Sequence, residues 1–65
     1  MKEFVRMIGV AFAYYTNTGI TSMTYQQRQD KTYVIIHYGD NKKEVCVSGQ
    51  DEISVLNTIC KAVGK

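Results

Sequence analysis

From Asp51 to Val63 the apolar residues return with the period of an α-helix, while the stretch just before them alternates like a strand. That change of period confines the chain to architectures in which a helix covers a sheet. At about 100° per residue, Ile53, Val55, Leu56, Ile59, Cys60, Ala62 and Val63 fall in one half of the helical wheel, and Asp51, Ser54, Asn57, Thr58 and Lys61 in the other. The apolar half is expected to face the core, making this helix the core's anchor with Leu56 buried and Cys60 inside. Ser48 or Gly49 is expected to cap the start. Asp51 and Glu52 lie where a helix dipole favours acids, and Lys61, Gly64 and Lys65 close the end.

Upstream, Thr32–Tyr38 is rich in β-branched and aromatic residues and Lys43–Ser48 alternates, so the two read as a hairpin turning at Gly39-Asp40-Asn41-Lys42. Ile20–Gln29 reads as a further strand that turns at Asp30-Lys31. The inward residues are expected to be Met23, Tyr25, Val34, Ile36, Tyr38, Val45 and Val47. The opposite parity places Thr24, Gln26, Arg28, Tyr33, Ile35, His37, Glu44 and Cys46 on an open face. Tyr33 and Ile35 are apolar too, so the middle strand taken alone could present either side.

Residues 2–16 admit two readings. As a helix, Phe4, Val5, Ile8, Phe12 and Tyr15 form one stripe, and Lys2, Arg6, Gly9 and Ala13 collect opposite, with a stop at Asn17–Gly19. As a strand, the segment would put Arg6 on the face of Phe4, Ile8 and Phe12 and yield a four-stranded meander with one helix. The helix is preferred. The expected fold is therefore α+β, one domain over residues 1–65 ordered αβββα, with both helices on one face of a three-stranded antiparallel meander.

Composition narrows the function classes. Eight Lys and Arg residues are scattered along the chain rather than clustered, and the net charge is only +2, unlike the basic face of a dedicated nucleic-acid binder. Cys46 and Cys60 lack the close pairing of a zinc or redox site and read as reduced thiols of an intracellular protein. Met7–Ala13 crudely matches a secretory leader, but the apolar stretch is short and Glu3 interrupts the basic flank, so the segment is read as part of the fold. A membrane span would need about 20 apolar residues, and no such run occurs.

The element order and lengths resemble those of a double-stranded-RNA-binding domain across nearly the whole chain. Such domains grip phosphates with a basic cluster at the start of the last helix. Here that place holds Gln50-Asp51-Glu52-Ile53-Ser54, which is acidic and repels a phosphate backbone. The resemblance therefore extends to element order and not to membership.

Catalytic and metal chemistry find no constellation. His37 is the single histidine, Cys46 has no histidine beside it in sequence, and no glycine-rich phosphate loop is present. No cofactor, no metal and no enzymatic activity are expected. Two surfaces remain. Met7, Val10 and Tyr14, spaced i, i+3, i+7, make a second apolar stripe on the first helix that either packs on the last helix or binds a partner. On the open sheet face, Gln26, Arg28, Tyr33 and His37 offer the aromatic and cationic groups that stack single-stranded bases, or simply a half-polar solvent face. The leading expectation is a small cytoplasmic protein-interaction module, a regulator or inhibitor that occupies a partner's surface. A nucleic-acid-binding domain using the open face and a structural homo-oligomer are the alternatives.

Overall fold

The periodicities resolve into five elements in the computed structural model, which describes residues 1–63: α1 (Lys2–Tyr15), β1 (Ser22–Arg28), β2 (Lys31–Tyr38), β3 (Asn41–Cys46) and α2 (Glu52–Val63). The order is αβββα, and the first segment is a helix rather than a fourth strand. The strands form an antiparallel sheet in the order β1-β2-β3. Met23 pairs with Ile36, Tyr25 with Val34 and Val34 with Val45, which sets the inward parity anticipated for all three strands.

Two-residue turns hold that register. Gly39 leads from β2 into β3 with φ 62°, a conformation that the first position of a tight hairpin turn demands and glycine adopts freely. Gln29, at the same position between β1 and β2, has φ 50° and is the one non-glycine residue with positive φ among those described.

The core joins both helices to one sheet face: Val5 and Ile8 of α1, Val55 and Ile59 of α2, and Ile20, Met23, Val34, Ile36 and Val47. Phe4, Phe12, Tyr25, Tyr38, Val45, Ala62 and Val63 pack around it, partly buried. Among the described residues no polar or charged residue is buried, so core stability rests on apolar packing.

Helical phase differs from expectation in both helices. Gly9, expected on the polar side of α1, is buried over β1, where an added Cβ would come within 2.5 Å of the Met23 backbone nitrogen. The missing side chain lets α1 settle directly on that strand. Rotation toward Gly9 turns Tyr15, expected inward, out to solvent. In α2 the apolar arc is wider than the strip a flat sheet can cover, and the sheet takes the Val55–Ile59–Ala62 side. Ile53 is left 72% exposed, Leu56 36% exposed, and Cys60 outward rather than inside.

The start of α2 also differs. Asp51 Oδ1 accepts the Ser54 backbone N–H at 2.9 Å, so Asp51 and not Ser48 or Gly49 is the cap. That hydrogen bond holds the Asp51 carboxyl below its ordinary value. Ser48 is used elsewhere, accepting the Thr32 N–H at 2.8 Å and continuing the sheet past the end of β3. At the other end, Lys43 Nζ donates to the Ala62 carbonyl at 3.1 Å, placing a cation on the negative end of the helix. The expected closure by Gly64 and Lys65 lies outside the described residues.

Candidate functional site

With Val5, Ile8, Gly9 and Phe12 turned to the sheet, the helical period directs Met7, Val10 and Tyr14 to the opposite side of α1. They are 64%, 44% and 79% exposed. The stripe is thus clear of α2. The C-terminal end of α1 is well defined, since the Thr16 N–H and hydroxyl both donate to the Phe12 carbonyl, at 3.2 and 2.6 Å. Tyr14 and Tyr15 are the last two residues of that helix.

The second expected surface also assembles. Strand register brings Gln26, Tyr33 and Cys46 into one row, Thr24, Ile35 and Glu44 into the next, and Ser22, His37 and Lys42 into a third. Its charged and aromatic groups, however, engage one another. Arg28 donates through Nη1 and Nη2 to the two Glu44 carboxylate oxygens, at 3.0 and 2.8 Å, and through Nη2 to Gln26 Oε1 at 3.1 Å. Its guanidinium carbon lies 5.1 Å from the centre of the Tyr33 ring. His37 Nε2 is 3.2 Å from Thr24 Oγ1. Hydrogen bonding to Glu44 raises the Arg28 pKa further, and the same contact lowers that of the Glu44 carboxyl. Tyr33 therefore carries a cation on its face, and that cation is neutralised. Ile35, in the row of Thr24 and Glu44, is only 6% exposed despite belonging to the outer parity.

Glu44 was legible in sequence only as another outward residue; its pairing with Arg28 needed the register. Ile53, Leu56 and Cys60 escaped notice as surface residues because apolar character was read as core.

A shallow depression of about 210 Å³ lies between the first turns of α1 and β1, lined by Lys2, Arg6, Met23, Thr24 and Tyr25. Arg6 is paired with Glu3 at 3.0 Å. Cys46 Sγ is 3.6 Å from Ser48 Oγ, and hydrogen bonding with the Ser48 backbone and hydroxyl holds its thiol below the ordinary value. Both cysteines are free and exposed. Among the described residues no three His, Cys, Asp or Glu side chains are grouped to hold a metal ion, and no helix is long and apolar enough to cross a membrane. Comparison of the chain with protein-family models, with curated proteins and with solved structures finds no match.

Proposed function

We propose that the chain is a small protein-interaction module that engages its partner through the outer face of α1, acting as a regulator by occupying that partner's surface. The observation that carries this reading is the exposure of Met7, Val10 and Tyr14 on a helix whose other face already fills the core. Three neighbouring apolar side chains in water cost solubility unless something covers them, and Met and Tyr are favoured in interfaces. Binding needs only such a shaped patch, whereas catalysis needs convergent reactive groups. The mutual engagement of Arg28, Glu44 and Tyr33 weighs against nucleic-acid contact through the open face, because a neutralised cation offers a phosphate little. Two exposed, unpaired thiols suit a reducing cytoplasmic compartment.

The test replaces Met7 and Tyr14 with glutamate, singly and together. Circular dichroism should be unchanged while partner capture in a pull-down from the native host is lost, since a charge in a desolvated contact is costly. Capture of the same proteins by wild type and by the double variant would remove α1 from the binding surface.

A further inference from the structure

β3 is an outer strand of the sheet, and the direction of its backbone groups follows from one hydrogen bond. The Val47 N–H donates to the Thr32 carbonyl at 2.9 Å, so Thr32 turns its backbone toward the β3 side. Alternation along an antiparallel ladder then gives Asn41, Lys43 and Val45 to β2, and directs the N–H and C=O of Lys42, Glu44 and Cys46 away from the sheet. Every residue of β3 except Val45 is exposed, and among the described residues no further strand pairs with it.

The opposite edge differs. The same alternation turns the Met23, Tyr25 and Gln27 backbone outward from β1, but Gly9 of α1 lies against the Met23 nitrogen and Met23 is buried. A helix obstructs one edge and leaves the other accessible. We propose that β3 accepts an extended acidic segment of a partner protein as a fourth, antiparallel strand. This surface is separate from the outer face of α1 and does not depend on it.

Charge selects that occupant. Lys42 stands on the open face and Lys43 on the inner one, so the strand carries a cation on each side. Lys43 Nζ donates to the Ala62 carbonyl, an uncharged acceptor, and that bond brings the last turn of α2 with exposed Lys61 to the same end of the strand. Of the acids nearby, Glu44 is balanced by Arg28, and Asp40 lies in the turn beyond the strand. Lysines on an edge turn away strands at large. A strand with acids opposite them is the exception, because opposite charges across a ladder stabilise it. Val45, partly buried against the core, favours an apolar residue opposite. Main-chain hydrogen bonds then hold the segment, and its alternate side chains specify it.

Amide NMR on the full chain reads the result with a probe peptide, acetyl-Thr-Val-Thr-Val-Thr-Glu-Glu-Thr-amide. In antiparallel register it sets a valine against Val45 and glutamates against Lys43 and Lys42. At saturating peptide the amides of Lys42, Glu44 and Cys46 should exchange with solvent about tenfold more slowly, while that of Met23 is unchanged. Lys42→Glu/Lys43→Glu should keep the circular dichroism of wild type and bind about tenfold more weakly. Two further peptides need no variant of the protein. N-methylation at the residues facing Lys42 and Glu44 removes their donors to β3 and should abolish binding, and replacing both glutamates with lysine should weaken it about tenfold or more. Equal binding of the N-methylated peptide overturns strand addition. Equal binding of the lysine peptide overturns the acidic partner, and β3 amides left unchanged at about 5 mM probe overturn the site.

Discussion

Arg28 and Glu44, on the two outer strands of the sheet, are joined over the middle strand by a two-pronged contact of 3.0 and 2.8 Å. The edges are thereby tied together without being neighbours, and the guanidinium also lies over the Tyr33 ring of the middle strand. Both partners are partly exposed, so the contact should weaken with added salt.

The bridge predicts an acid-dependent loss of stability. Hydrogen bonding to Arg28 lowers the folded-state pKa of Glu44 below its unfolded value. The pair therefore adds stability above the unfolded carboxylate range, and that contribution is lost as pH falls through the lowered value. Asp51, lowered by the Ser54 N–H, acts in the same direction. Urea midpoints measured from neutral to acid pH should fall less steeply for Glu44→Gln than for wild type. An acid limb identical in the two proteins would show that the bridge does not persist in solution.

Gly9→Ala should destabilise the protein although alanine is the better helix former. The added methyl meets backbone rather than a yielding side chain, at 2.5 Å from the Met23 nitrogen. Overpacking of this kind costs about 1–3 kcal/mol, more than the helical gain of at most about 1 kcal/mol. A rise in the urea midpoint would mean that α1 stands farther from β1.

The phase of α2 is testable with two substitutions. Ile59 is fully buried and Leu56 is not. Ile59→Ala should cost about 2–5 kcal/mol and Leu56→Ala about 1 kcal/mol or less. Equal losses in denaturation would contradict the assigned rotation of the helix.

Gln29→Gly should stabilise. A side chain at φ 50° carries a penalty of about 1–2 kcal/mol that glycine escapes, against an entropic loss of about 0.5–1 kcal/mol in the unfolded chain. The expected net gain is up to about 1 kcal/mol by thermal or urea unfolding, and Gln29→Val should lower stability.

Element order was legible because the β-branched and aromatic run Thr32–Tyr38, the alternation in Lys43–Ser48 and the helical repetition after Asp51 are local properties of the sequence, and strand parity followed from the alternating neighbours, since Thr32–Tyr38 alone could face either way. Rotation of the helices was not. Seven apolar residues in α2 span half its circumference, and nothing within the helix says which part of so wide an arc the sheet will take. Gly9 shows the same limit: a wheel ranks it with the polar side for lack of a side chain, whereas the fold uses that lack to bring two backbones together. Of the candidate surfaces, the stripe Met7–Val10–Tyr14 was visible as surplus apolar area. The Arg28–Glu44 bridge joins residues 16 apart and appears only when three strands are in register.

The meander has a consequence for how quickly the chain reaches its native state. Each strand pairs with its immediate successor through a two-residue turn, so the sheet forms by short loop closures, whose entropic cost is small. The helices lie at either end of the chain, outside the meander in sequence. The sequence contains no proline, which removes the peptide isomerisation that slows many small proteins to tens of seconds. Stopped-flow refolding should show one exponential phase, complete within milliseconds to about a second, with the same amplitude whether the unfolded chain has aged for seconds or for hours.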